Sequence, residues 1–284
     1  MDSPALAYHV DPLTLKEIPA DEAALQRVLA DPRPRTHRAW TERGLAARLL
    51  GRLDVAEQAL LTALTLEPGP AAHLRLAHVW QWQGRYAEAD AEYARWFDGP
   101  VADFAHQHAG KSRYDQGDWR GAQEHFRQAL DAREDEDLRA SSALALDAAD
   151  ACATAAEVAG ELHRLAVPDR GPALPAVDGA VDELLSRAKS GTTATDGLVG
   201  LLRALRDHRA EAHDAARKAE GLTAQDSATD AMPSDDPVRR RVVTATDRAA
   251  SVPYRALRPE DRATLLDALR GLEPADLSGK LPES

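Results

Sequence analysis

The chain has 284 residues, of which 44% are hydrophobic and 29% charged, a balance that fits a folded protein and excludes global disorder. A formal net charge of −12 repels phosphate backbones and argues against nucleic acid as a partner. A single cysteine, Cys152, excludes an internal disulfide and a cysteine-based zinc site.

Residues 1–22, MDSPALAYHVDPLTLKEIPADE, are acidic and broken by prolines. They lack a basic stretch followed by an apolar core, so they do not read as a signal peptide, and no apolar run approaches bilayer length. These features predict a cytoplasmic protein with no membrane partner. Lysine occurs at positions 16, 111, 189, 218 and 280 alone, while arginine, alanine, aspartate and leucine abound, as in a GC-rich bacterial genome. Residues 21–31 predict a short helix, begun at Asp21 after Pro19 and stopped before Pro32, that caps the end of the helices after it.

The next stretch is periodic. The segments GRLDVAEQALLTAL, GRYAEADAEYARWF and GDWRGAQEHFRQAL begin at Gly51, Gly84 and Gly117, 33 residues apart each time, and align without gaps. Each carries a large apolar residue two positions on (Leu53, Tyr86, Trp119), alanine five on (Ala56, Ala89, Ala122) and a bulky residue nine on (Leu60, Tyr93, Phe126). Small residues precede each glycine, at Gly44, Ala77 and Gly110. The pattern predicts pairs of antiparallel helices. The small positions let the helices approach, the large ones fill the space around them, and the glycines end each first helix in a left-handed turn.

These residues resemble the tetratricopeptide repeat, and Trp40, Gly44, Ala56, Leu60 and Pro68 follow its pattern in the first copy. The resemblance implies an all-α protein, a right-handed α–α superhelix without β-sheet, plus additional C-terminal helices. The organisation it suggests is an N-terminal segment with a capping helix (1–35), repeats (36–165, three clear and a degenerate fourth), a helical extension with a repeat-like hairpin (166–225), and a linker with C-terminal helices (226–284).

The fourth copy is ambiguous. Residues 137–165 are alanine-rich and read either as a hairpin or as one long helix, with Cys152 a buried structural thiol. LLRALRDHRAEAHDAARKAE, at residues 201–220, keeps Gly200, Ala212, Ala216 and Ala219, with Asp207 at the turn position. Proline-rich residues 166–175 and polar residues 222–236 read as connections. Two helices follow, from Pro237 to Ala250 and from Pro259 to Gly271, the second striped by Ala263, Leu265, Leu266, Leu269 and Leu272. Aromatic residues cluster before Phe126, after which only Tyr254 remains, so the two halves should pack differently.

No Gly-rich phosphate loop, HExxH or GxSxG motif occurs. The histidines show no metal spacing: His106 and His108 diverge on a helix, and His208 and His213 lie about 140° apart around theirs. His73 and His106 hold equivalent repeat positions and read as partly buried structural residues. The run AREDED at 132–137 reads as a solvated turn, and Arg239-Arg240-Arg241 as a solvated helical face. The expectation is a non-enzymatic protein without cofactor or metal.

The resemblance places the first helix of each pair along a concave groove. The partner-binding residues it implies are Arg38 and Arg48, then His78, Gln81 and Trp82, then Phe104, Gln107, Lys111 and Tyr114. Trp40, Trp80, Trp96 and Trp119 fall in core register, whereas Trp82 should face the groove and be more exposed than any of them. An indole beside Tyr114, Lys111 and Arg48 suits a peptide with an apolar side chain and a carboxylate, in an acidic segment or at a chain terminus. A neighbouring segment of the chain filling the groove is the competing structural reading. Thr41 and Leu45 stand where clamp-type members carry polar residues, so chaperone tails are not implied. The leading function is an adaptor for a peptide or protein. The alternative is a scaffolding or homodimeric subunit of an enzyme complex that uses its C-terminal helices.

Overall fold

The structure, a computed structural model, describes residues 6–30, 34–167, 175–192, 197–223 and 232–277. Among them the chain is helical except for one antiparallel pair, β1 (Tyr8–Val10) and β2 (Glu17–Pro19), paired Tyr8 to Pro19, His9 to Ile18 and Val10 to Glu17. The all-α expectation holds apart from this small hairpin, which the sequence reading did not foresee. Asp11 forms its turn: Oδ1 accepts from the Leu13 and Thr14 backbone N–H groups at 3.1 and 2.6 Å and from the Thr14 hydroxyl at 2.8 Å. Leu15 then takes a left-handed φ of 55° and is 4% exposed, so its burial offsets the backbone strain.

The chain divides into two compact units, residues 1–146 and 147–284. In the first, α1 (Glu22–Ala30) starts where the Asp21 side chain accepts from the Ala24 N–H, and it buries Leu25 against Leu6, Ala46 and Leu49. Three helix pairs follow: α2 (His37–Leu49) with α3 (Leu53–Leu66), α4 (Pro70–Trp82) with α5 (Tyr86–Ala94), and α6 (Ala102–Asp115) with α7 (Trp119–Ala132). Each second helix packs on the next first helix, and the first helices α2, α4 and α6 contact in succession.

The repeat residues explain this packing. Gly51, Gly84 and Gly117 have φ of 71°, 78° and 75°, as the turns require. A Cβ on Gly44 would lie 2.6 Å from Leu60, and one on Gly110 would lie 2.5 Å from Phe126, so only glycine admits the bulky residue of the facing helix. In the second pair Ala77 does the same for Tyr93, and both are fully buried.

The period stops at α8 (Glu136–Arg164), a single helix of 29 residues. The sequence provides no left-handed turn residue here: Asp150, one period after Gly117, sits mid-helix in an alanine-rich run. Asp207 likewise lies inside α10 (Leu198–Ala219), so the hairpin expected there is also one helix.

The second unit joins the later part of α8 with α9 (Val177–Ser190), α10, α11 (Pro237–Ala250), α12 (Val252–Arg255) and α13 (Pro259–Arg270). Its core draws on Val158, Leu162, Leu202, Leu205, Leu265 and Leu269. Ala263, expected in that stripe, is exposed. Arg262, 1% exposed, bonds Asp147 and Asp150 at 2.7 and 2.8 Å and the Tyr254 carbonyl at 2.8 Å. Most of the two predicted connections, at 168–174 and 224–231, lies outside the described residues. Among the described residues no helix is long and apolar enough to cross a membrane.

Candidate functional site

The first helices α2, α4 and α6 present Arg48, His78 and Lys111 toward one another, and the segment 8–19 lies across them. β2 delivers Glu17 between the two cations. Lys111 Nζ donates to Oε1 at 2.9 Å, and Arg48 Nη2 donates to Oε2. All three are buried, Glu17 at 5%, Arg48 at 3% and Lys111 at 8% exposure. Burial pushes the Glu17 carboxyl upward, but Lys111 and Arg48 outweigh it and hold the group well below the usual carboxylate range. Further along the segment, the Tyr114 hydroxyl donates to the Leu13 carbonyl at 2.7 Å.

Trp82 covers this arrangement from the side. The Arg48 guanidinium lies 4.8 Å from its ring centroid, and its indole N–H donates to His78 Nε2 at 3.1 Å. His78 stands 4.6 Å from His108, ring to ring. Both imidazoles are held neutral. Burial is the main cause, reinforced by Arg48 at His78 and by Lys111 at His108, which is pushed down to about 3. Gln81 donates to Asp115 at 2.7 Å and accepts from Tyr93 at 3.0 Å. Gln107 accepts from Ser142 at 2.7 Å and from Arg133 at 3.3 Å.

Arg48, His78, Trp82, Lys111 and Tyr114 thus come together under the segment 8–19, whereas Arg38 pairs with Glu42 on α2. Arg48, His78, Gln81, Gln107, Lys111 and Tyr114 are buried, whereas Arg38 and Phe104 are exposed. Trp82 is half-buried, as are Trp40, Trp80 and Trp96; of the five only Trp119, at 7%, is buried. The expectation that Trp82 would stand out is thus corrected: residues 8–19 fill the groove over it, and Lys16 sits 5.9 Å from its ring centroid.

Three participants were missed in the sequence. Glu17 lay in a segment read only for what it lacks. His108 was dismissed with His106 as a poor metal pair. Arg133 sat in a run read as solvated, yet it is 5% exposed and bonds Asp103, Gln107, Ser142 and the Leu138 carbonyl. The Asp-Pro pair at 11–12, between the β-branched Val10 and Ile18, was the available signal for the hairpin.

Elsewhere, His73 bonds Glu92 at 3.0 Å, and His106 meets His125 at 3.1 Å beside Phe97, so both repeat histidines are partly buried. Among the described residues no group of three or more metal-binding side chains occurs. No family model matches the chain, and no curated protein or solved structure is significantly similar to it.

Proposed function

We propose that this chain is a non-enzymatic tetratricopeptide-type adaptor whose groove takes an extended segment bearing a carboxylate, with residues 8–19 holding that place in the free protein. The observation behind this reading is Glu17, seated between Arg48 and Lys111 on an extended segment laid over three successive first helices. Extended ligands that span several repeats are read in this way: backbone and side-chain contacts fix direction, and a buried ion pair fixes register. The 33-residue period, the left-handed glycines and the Gly44–Leu60 and Gly110–Phe126 fits support the repeat assignment and, with it, a right-handed superhelix. The scaffold reading is less well supported, because α13 spends Leu265, Leu266 and Leu269 inside its own unit.

A labelled peptide of residues 6–20, titrated against the full chain, tests this proposal. The Glu17→Ala chain, its own segment weakened, should bind the peptide about tenfold more tightly than the unaltered chain, a difference of about 1.4 kcal/mol. A peptide carrying Glu17→Gln should bind more weakly. Failure of the Glu17→Ala chain to bind the peptide while its circular dichroism stays native would refute the groove reading.

A further inference from the structure

Resting on the reading that residues 8–19 hold a partner's place, we infer that the groove selects a glutamate inside an extended segment, two residues after a buried apolar side chain, and not a chain terminus. The chain continues on both sides of Glu17: Lys16 precedes it, and Ile18 pairs with His9 across the hairpin. The carboxylate between Arg48 and Lys111 is thus carried on a side chain. A terminal carboxylate sits on the backbone itself, and would have to draw that backbone into the space the Glu17 side chain spans.

Length selects as well. Lys111 Nζ donates to Oε1 and Arg48 Nη2 to Oε2, so each oxygen serves a cation on a different helix. An aspartate, one methylene shorter, withdraws its oxygens from both cations at once. Glutamate is therefore preferred, and glutamine keeps the reach while losing the charge.

Leu15 supplies the apolar position. It is 4% exposed, although a two-stranded ribbon has no interior of its own, so the rest of the first unit buries it. Its φ of 55° is one that leucine disfavours, and burial of the side chain holds it there. Lys16, between the two inward residues, stays exposed, with its ammonium 5.9 Å from the Trp82 ring centroid, so the groove reads that position only weakly. Tyr114 takes the Leu13 carbonyl, a group that every residue offers. The signature is then an apolar residue, any residue, and glutamate, in that order.

Anisotropy titration of labelled 6–20 peptides against the full Glu17→Ala chain tests the assignment. The unaltered peptide should bind saturably. Leu15→Ala in the peptide should weaken binding about thirtyfold and Glu17→Asp about tenfold. Lys16→Ala should cost about twofold. Amidating the peptide's C-terminus should leave the affinity unchanged. A Leu15→Ala or Glu17→Asp peptide that binds as tightly as the unaltered one, a Lys16→Ala loss larger than either, or loss of affinity on amidation would each overturn the glutamate signature while the groove reading stands. Absence of binding by every peptide, with native circular dichroism of the chain, would overturn both.

Discussion

The two units solve the problem of a polar interior differently. In the first, buried polar groups reach across long stretches of sequence: Glu17 to Lys111, Leu13 to Tyr114, Gln107 to Ser142. In the second, the buried hydroxyls of Thr154, Thr246 and Ser251 donate to carbonyls three or four residues back, and distant bonds are made by the charged Arg262, by Asp247 to Arg209 and by Asp261 to Lys189. A local bond is satisfied wherever its helix sits. A distant bond is satisfied in one arrangement only, so the first unit positions its elements partly through uncharged groups such as Gln107, Ser142 and Tyr114, and the second through charged pairs and apolar fill.

The sharpest break of this contrast is a matched pair of substitutions. Arg48→Met leaves Glu17 buried with Lys111 alone and should destabilise the first unit by about 3–5 kcal/mol. Arg262→Met releases Asp147 and Asp150, both partly solvated, and should cost about 1–3 kcal/mol. All five tryptophans lie in the first unit, so urea titration followed by their fluorescence reads that unit, and far-UV circular dichroism adds the second. An Arg262→Met loss as large as that of Arg48→Met would erase the distinction.

Glycine gives the next test. Gly110→Ala drives a Cβ into Phe126 and should cost about 1–3 kcal/mol. Gly160→Ala in α8 meets nothing within 4 Å and should stabilise by about 0.5–1 kcal/mol. Opposite signs in thermal melts sharpen the comparison; equal signs blunt it.

Acid gives the last test and should act mainly on the first unit. His78 and His108 have native pKa values lowered below the unfolded 6.5, so the unfolded chain takes up their protons first. Their stabilisation is present above pH 6.5 and is lost as pH falls toward their native values. Each contributes a slope of about 1.4 kcal/mol per pH unit in that window. Glu17, also depressed, adds a loss in the same direction below the ordinary carboxylate range. His108→Gln should remove one proton's worth of slope between pH 6 and 4, measured as urea midpoints across pH; an unchanged slope would show His108 to be solvated.

The helices of the first unit were legible because their spacing is steric. A small residue at 44 or 110 and a bulky one at 60 or 126 are two halves of one contact, and the turn glycines mark the ends. Helices α11 and α13 were legible from Pro237 and Pro259, which sit at their first turns. That Arg48, His78, Trp82, Lys111 and Tyr114 lie near one another was legible, but the segment over them was not. Tyr8, Leu13 and Glu17 belong to a segment with two three-residue strands, too short for periodicity to register, and Leu13 and Glu17 are held by partners 31, 94 and 101 residues away. The lost fourth hairpin failed for the opposite reason: alanine at the small positions is equally at home in a continuous helix.

The ion pair between Glu17 and Lys111 also fixes an order of assembly. The residues are 94 apart in sequence. At the usual pace of translation, roughly 5–20 residues per second, Lys111 is added about 5–20 s after Glu17. The helix pairs can close from near neighbours as they emerge, whereas the segment made before them has only the Arg48 part of its seat until α6 exists. The earliest of these residues are thus the last to be placed. An incomplete chain carries them as a loose strand open to proteases, and a finished one hides them, so their protection reports that the whole array has formed.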